Sequence, residues 1–274
     1  MNKISLLLAL LFCVHLQAQR KPKIKGNKNV VEVKEALPAF HAIELKDDLD
    51  IDIQYTGEEG YTLLADDNLI DVLKFTVKDS TLYISSFYRV TSKKKLDITI
   101  NYHSLNAITV LDGRIRMNNT LNSNELSVAT FDSAKLDLNA NVSLLHLNME
   151  GNSSGDFTIE SDSLNIALKD RIDLKLYATS PSIVLDMQGN SSLKMDGTTT
   201  DFHINLGGNA TLKSEKLQAT TIKATLIGSP SAKVNTQGSI ELDSRGSSKT
   251  YVHGAGEIVL IDFLDTSELL RRKN

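Results

Sequence analysis

Three segments of this chain repeat one pattern: Leu145-His-Leu-Asn-Met-Glu-Gly-Asn-Ser153, Ile183-Val-Leu-Asp-Met-Gln-Gly-Asn-Ser191 and Phe202-His-Ile-Asn-Leu-Gly-Gly-Asn-Ala210. The glycine, or an aspartate in its place, recurs at Gly113, Asp132, Gly151, Asp170, Gly189, Gly208, Gly228 and Gly246. Successive differences between these positions are 19, 19, 19, 19, 19, 20 and 18. So regular a period is typical of a stacked array, in which each unit presents the same faces to its neighbours.

The residues around each glycine predict what one unit looks like. Before the glycine, apolar and polar residues alternate with period two, which indicates a half-buried strand. A polar turn follows the glycine, then a second alternation such as Leu136/Leu138. Asp132 and Asp170 fit a corner with positive φ, because aspartate tolerates the left-handed region better than most residues. Each unit therefore reads as strand, sharp corner, strand and a shorter polar return, and the fold class is an all-β parallel β-helix, a solenoid of about 19 residues per turn.

The chain divides into five predicted segments. Residues 1–19 are a signal peptide, 20–29 a basic and solvated linker, 30–104 an N-terminal β region that caps the solenoid, 105–262 the parallel β-helix, and 263–274 a C-terminal tail or short helix. Asp265-Thr-Ser-Glu268 resembles a capping box, which favours the helix. The N-terminal region is also β-patterned, but it is not in register with the repeat.

The N-terminus has the pattern of a secretory signal. Lys3 precedes the apolar run 4–14, which is too short for a spanning helix and is followed by the small residue Ala18. The only cysteine, Cys13, lies inside that run, so a cleaved chain has no thiol chemistry and no disulfide. We expect an exported protein that is periplasmic, outer-membrane-associated or extracellular.

Three motifs follow one another along the chain. They are the lead-in Phe40-His-Ala-Ile43…Asp50-Ile-Asp-Ile53, the segment Leu96-Asp-Ile-Thr-Ile100…Leu105-Asn-Ala-Ile108 and the Gly-Asn-Ser corners. In this order they resemble the auto-transporter adhesin family with a head GIN domain, common in secreted proteins of Bacteroidetes. The resemblance covers roughly residues 38–256 and implies a right-handed parallel β-helix with an adhesive role and no catalytic residues. Asp132, Asp170 and the segment 251–254 depart from the family's pattern.

Candidate chemical sites are few. His146 and His203 share one outward position three repeats apart, about 14 Å, which is too far to share a metal ion. Asp132, Asp170 and Arg171 share one corner line, and the two carboxylates, about 10 Å apart, are near the spacing of an inverting glycosidase pair. Turn chemistry explains the two aspartates better, and no aromatic platform accompanies them. We predict no catalytic, cofactor or metal site.

Two functions from different classes remain open. The first is a non-enzymatic surface-binding or scaffold protein whose outward ladders of polar residues contact a glycan or a cell-surface protein. The alternative is a β-helix carbohydrate-active enzyme, a polysaccharide lyase or hydrolase, that uses the acidic corner. A net charge of −4 argues against nucleic acid as a partner, and no later segment could span a membrane as a helix. Oligomeric state is left open.

Overall fold

The structure, a computed structural model, describes residues 21–272. The predicted signal peptide, with Cys13, lies outside the described residues. The strands of the N-terminal third are β1 (Lys23–Lys25), β2 (Val30–Ala36), β3 (Ala42–Leu45), β4 (Asp50–Tyr55), β5 (Gly60–Asp66), β6 (Leu73–Lys78), β7 (Thr81–Ser86), β8 (Arg89–Ser92) and β9 (Leu96–Tyr102). A 3₁₀ turn (Asp67–Leu69) joins β5 to β6.

Strands account for most of the rest of the described chain. They are β10 (Ala107–Val110), β11 (Arg114–Met117), β12 (Leu121–Thr130), β13 (Lys135–Met149), β14 (Ser154–Leu168), β15 (Asp173–Thr179), β16 (Ser182–Met187), β17 (Ser192–Gly208), β18 (Thr211–Gly228), β19 (Ser231–Gly246), β20 (Lys249–His253), β21 (Glu257–Phe263) and β22 (Glu268–Arg271).

Successive coils pair in parallel, which confirms the predicted β-helix. Strand β13 aligns with β14 so that Leu136 lies opposite Gly155 and Leu145 opposite Leu164, one repeat away in each case. Two of the corner intervals, 20 residues from Gly208 to Gly228 and 18 residues from Gly228 to Gly246, depart from the 19-residue period. The strand pairing of β18 with β17 and with β19 shifts register, which accommodates the extra and the missing residue. Like residues therefore stack along the whole array.

Each coil turns twice, once at the glycine corner and once at a second corner, which lies within a continuous strand in β13, β14 and β17 and between strands β15 and β16. Val142, Ser161, Ser180 and Thr199 form the buried column at this second corner. Two of the hydroxyls donate hydrogen bonds to carbonyls two residues ahead, at 3.0 Å from Ser180 Oγ and 3.3 Å from Thr199 Oγ1. The predicted polar return is thus a separate connection between β15 and β16 but not in most of the other coils. Its polar residues close a bend inside β13, β14 and β17.

The N-terminal β region begins the stack rather than standing apart from it. Strands β3 and β4 lie in parallel register with β10 and β11, and on their other side with β7 and β9. The partners of Ala42 and Asp50 in that next coil are Ala107 and Arg114, more than three repeat lengths further along the chain. The repeat period therefore does not show in this part of the sequence. Antiparallel pairing of β2 with β5, β5 with β9 and β6 with β7 then covers this end of the solenoid.

The prediction of a C-terminal tail or short helix over residues 263–274 is wrong for the described part of that segment. Asp265 has φ of 60° and lies one repeat period after Gly246, so it forms a further corner of the array. The Gly246 N–H donates to the Asp265 carboxylate at 2.8 Å, the Thr266 N–H donates to the Gly246 carbonyl at 3.0 Å, and β22 pairs in parallel with β20. Leu260, which stacks on Leu242, is 48% exposed, since no further described coil covers it.

The predicted linker is also more ordered than the sequence indicates. Within its described part, β1 pairs in parallel with β8, and the Lys21 ammonium forms an ion pair with Asp47. Lys21 also donates a hydrogen bond to the Ser86 carbonyl at 2.7 Å. Partners that are distant in the sequence are what order this segment.

Asp66 ties the lead-in segment to the cap. Its carboxylate is buried and accepts hydrogen bonds from the backbone N–H groups of Lys28, Lys94 and Lys95 at 3.0–3.1 Å. Burial alone would raise the pKa of Asp66, but the bonds from Lys94, Lys28 and Lys95 outweigh it and lower the pKa below its ordinary value. Gly26 permits the approach, because a Cβ there would lie 1.9 Å from Asp66 Oδ2.

We predict that close backbone approach, added to positive φ, makes Gly246 intolerant of substitution. Its Cβ would lie 2.4 Å from the Gly228 carbonyl oxygen, whereas Gly57, with a similar φ of 80°, has open space. Gly57→Ala should lower the free energy of unfolding by about 1–2 kcal/mol, the strain of a left-handed alanine. Gly246→Ala should lose clearly more, measured by denaturant unfolding. Equal losses would mean that the corner has room to relax.

Asp66→Asn should lower the melting temperature at neutral pH, because an amide cannot accept all three N–H bonds. A lowered folded-state pKa means that the carboxylate's contribution is complete above its unfolded-state pKa of about 3.9 and disappears as the pH falls through the folded-state value. The difference in melting temperature between wild type and variant should therefore shrink as the pH is lowered from about 7 to about 2.

The control for this comparison is Asp97→Asn, which removes an exposed carboxylate paired with Lys95 at 2.5 Å. It should change the melting temperature little at any pH. Circular dichroism at several pH values gives both curves. An Asp66→Asn difference that stays constant with pH would contradict the role assigned to the carboxylate.

Candidate functional site

The predicted corner residues form one line along the solenoid. Their φ values, all positive, lie between 44° and 99° for Gly113, Asp132, Gly151, Asp170, Gly189, Gly208, Gly228 and Gly246. A Cβ at Gly189 would lie 2.9 Å from the Asp170 carbonyl oxygen, so neighbouring backbones nearly touch there. Most of this line is backbone, and only its two aspartates carry a reactive group.

The acidic corner is a shallow, open depression. Asp132, Asp170 and Arg171 lie at the surface, with Asn152 and Asn190 beside them. The Asp132 and Asp170 carboxylates make no hydrogen bond or ion pair with any described residue. Glycosidase chemistry needs one carboxyl group whose surroundings keep it protonated and another that stays ionised. Asp132 and Asp170 occupy equivalent positions on this corner line, and both face solvent.

Asparagines continue the corner line on its outer side. The backbone N–H groups of Asn152, Asn190 and Asn209 donate to the carbonyl of the corner residue one coil earlier, at 2.6–2.8 Å. Asn209 Nδ2 also donates to Asn190 Oδ1 at 3.1 Å. The side-chain bond links Asn190 to Asn209, and the backbone bonds hold successive corners in register.

His146 and His203 lie on the sheet formed by the strand segments that precede the glycine corners. They share one outward column, with Asn165 and Val184 between them. His146 contacts its neighbours, with Nδ1 3.4 Å from Asn165 Nδ2 and Nε2 3.9 Å from a Glu125 carboxylate oxygen. Within residues 21–272, His, Cys, Asp and Glu side chains form no group of three or more that could hold a metal ion.

A second outward face is formed by β11, β15, β20 and the first halves of β13, β14 and β17 to β19, and we call it the second sheet. This sheet carries a column of outward lysines. Lys175, Lys194, Lys213 and Lys233 lie opposite one another in successive coils, and we call them the lysine ladder. Lys233 approaches Glu215 at 4.0 Å. The other three lysines have no ion-pair or hydrogen-bond partner in the described part of the chain.

Three other cations on this sheet are paired across coils. Arg116 Nε donates to Asp52 at 2.8 Å, which is the main cause of the raised pKa of Arg116, and Arg114 contacts Asp137 at 2.5 Å. Lys249 lies 3.1 Å from Glu268. The ladder differs from these three pairs, in which a carboxylate of a neighbouring coil lies within reach of the cation.

Sequence reasoning missed this ladder, although its signal is present. Lys175, Lys194 and Lys213 follow one another at the repeat period, and Lys233 comes one position later than that period predicts. The corner glycines dominate the repeat, and the alternation that follows them is less regular. The column therefore becomes evident only when the coils are aligned by their strand pairing.

A cleft of about 640 Å³ lies between β1, β8 and the turn after β3. Its polar groups bind one another: Asp47 accepts from the Ser86 N–H at 2.8 Å and pairs with Lys21. Arg89 and Asp112 also line it. Internal pairing of acids and bases makes this cleft a junction between segments.

Among residues 21–272, no helix has the length and apolar composition needed to cross a membrane.

Comparison with known proteins agrees with this architecture. Residues 39–157 and 152–256 each match the family model described as "Putative auto-transporter adhesin, head GIN domain". Together the two matches span most of the chain. No curated protein matches the sequence significantly.

Several solved structures share the fold. A "putative adhesin" from Parabacteroides merdae aligns with a TM-score of 0.64 at 15% identity, covering 92% of this chain and 99% of that one. A "putative adhesin" from Parabacteroides distasonis gives 0.62 at 16%, covering 91% and 100%. A "putative lipid binding protein" from Parabacteroides distasonis gives 0.58 at 17%, covering 92% and 98%. Identities this low establish a common fold and nothing finer.

Proposed function

This chain belongs to the auto-transporter adhesin family with a head GIN domain, and from that premise we propose that it is a non-enzymatic, exported binding protein. Its role is that of an adhesin-like surface protein or scaffold. The partner is a glycan or a cell-surface protein, held on the outward faces of the solenoid.

The observation that carries this proposal is the rigid, regular outer surface. In-register pairing fixes outward side chains in straight columns, and neighbouring columns of Ser, Thr, Asn and Lys reach the surface along several coils. Binding residues placed on such a scaffold need no rearrangement to meet an extended partner, which preserves affinity. Repeat proteins commonly use extended surfaces of this kind.

The enzyme alternative has less support. A catalytic site needs groups that converge on a reacting atom, usually inside a concave pocket. Asp132 and Asp170 lie instead on an open corner, and their backbones have the positive φ that the turn requires. Apolar side chains fill the interior of the coils, so a partner meets the outer faces of the solenoid.

Export supports the same role. The basic residue, the short apolar run and the small residue in residues 1–18 have the order of a secretory signal. We predict that the mature protein begins at Gln19 or Arg20 and contains no thiol. N-terminal sequencing of protein from the native host measures this. A mature chain that retains a lipid-modified Cys13 would overturn it.

We predict that the double change Asp132→Asn and Asp170→Asn leaves ligand binding and stability nearly unchanged. Asparagine tolerates positive φ as aspartate does, so the corners should keep their shape. Glycan-array binding and a reducing-sugar assay, run on wild type and variant, test both functions. Sugar release by the wild type that the double change abolishes would contradict the non-enzymatic role.

A further inference from the structure

We propose that the lysine ladder is the binding site for a linear acidic polysaccharide that lies along the solenoid axis, with its carboxylates on Lys175, Lys194, Lys213 and Lys233. This inference rests on the proposed binding function and deepens it, because it assigns both the surface and the chemical class of the partner.

The ladder concentrates positive charge that the described residues leave largely unpaired. Adjacent strands are about 4.8 Å apart, so four stacked lysines place like charges next to one another over about 14 Å. Like charges directly opposite one another destabilise a sheet. Three of these lysines have no ionic or hydrogen-bond partner among the described residues, whereas Arg114, Arg116 and Lys249 on the same sheet do. An anionic polymer supplies the missing counter-charges.

The neighbouring charges limit how dense that polymer can be. Asp156 precedes Lys175 in the same column, one coil earlier, without forming an ion pair with it. Three further carboxylates flank the ladder. Asp173 and Asp196 lie on the same outward face, and Glu215 lies at the bulge after Lys213. The whole chain carries a net charge of −4. A partner with one acidic group per sugar or two matches the lysines without crowding these carboxylates. Duplex nucleic acid carries one charge per about 1.7 Å of its axis, which is far denser than one lysine per about 4.8 Å, so it matches the ladder less well.

Aromatic residues bracket the ladder. Tyr177 and Tyr251 are the two tyrosines found after residue 104, and both lie on this face. Tyr177 is 53% exposed, two residues beyond Lys175 on the same strand. Tyr251 is the next member of the column after Lys233, and the Arg272 guanidinium lies 5.3 Å from its ring centroid. Phenol rings on a surface offer an apolar face and a polar tip, which suits the mixed surface of a sugar.

Hydroxyl groups complete the surface. The outward column next to the lysines contains Ser192, Thr211 and Ser231, all half-buried and in register. Each hydroxyl can donate and accept, as the hydroxyls of a sugar require. One flat strip of the protein therefore combines three kinds of group. Its lysines can bind the acidic groups of the polysaccharide, its hydroxyls can bind the sugar hydroxyls, and a tyrosine lies near each end.

The experiment titrates the full mature chain with an oligogalacturonate long enough to span the ladder, using isothermal titration calorimetry at low salt. The matched probe is the methyl-esterified oligomer of equal length, which keeps the sugars and removes the charges. We expect the acidic oligomer to bind, its affinity to fall with added salt, and the ester to bind far more weakly. Failure of the wild type to bind oligogalacturonate overturns the inference.

Variants locate the site. Lys194→Gln with Lys213→Gln should weaken binding about tenfold, as expected for two exposed ionic contacts. The control, Lys169→Gln with Lys223→Gln, removes the same charge from positions off the ladder and should leave the affinity unchanged. Equal losses in the two double variants would mean a general charge effect and would overturn the assignment. Thermal unfolding should show that the ladder variant is at least as stable as wild type, since like-charge neighbours are removed.

Variants of Tyr177 distinguish binding through the sugar rings from binding through charge alone. Tyr177→Ala should weaken oligogalacturonate binding about fivefold without changing its salt dependence, and Tyr177→Phe should restore it. Single-stranded DNA bound as tightly as the oligomer, through the same lysines, would replace the glycan with nucleic acid and contradict the proposal. Surface or glycan binding that survives the ladder variant would leave the proposed function standing and reject the ladder alone.

Discussion

Every feature of this protein depends on the backbone hydrogen bond across the left-handed corner. At that point the N–H group of one coil donates to the carbonyl of the corner residue one coil earlier, as Asn190 does to Asp170 and Asn209 does to Gly189, both at 2.8 Å. The approach is so close that a Cβ on Gly246 would lie 2.4 Å from the preceding coil's carbonyl oxygen. Glycine, or an aspartate that tolerates positive φ, is therefore required once per turn, and the register of all other contacts follows from it.

Fixed register turns a repeat into columns. A residue type that recurs once per repeat becomes a continuous strip whose members lie about one strand spacing apart. Inside, such strips pack mostly aliphatic side chains and small hydroxyls, with Phe157 and Phe202 as fully buried aromatic members. Outside, they concentrate whatever chemistry the repeat carries, whether asparagine amides at the corner or lysines on the flat sheet. A function built this way resides in a strip rather than in a pocket.

The two ends of the stack are treated differently. Antiparallel strands and the buried Asp66 carboxylate close the N-terminal end, where three backbone N–H groups hold the charge. At the other end, Leu260 and Phe263 continue inward columns and stay partly exposed. Coils gain stability from both neighbours, so the last described coil has lost half of its packing partners.

The sequence alone determined the repeat, the inward and outward faces and the left-handed corners, because period-two alternation and a glycine once per turn are local signals. It also contained two signals that reasoning overlooked, Asp265 one period after Gly246 and the lysines at the same interval. Only the tertiary structure placed β3 and β4 in the stack, since their partners in the next coil are more than three repeat lengths distant and leave no periodic trace. It alone showed that Lys175, Lys194 and Lys213 lack counter-charges among the described residues while Arg116 has one, because pairing depends on where side chains reach across coils.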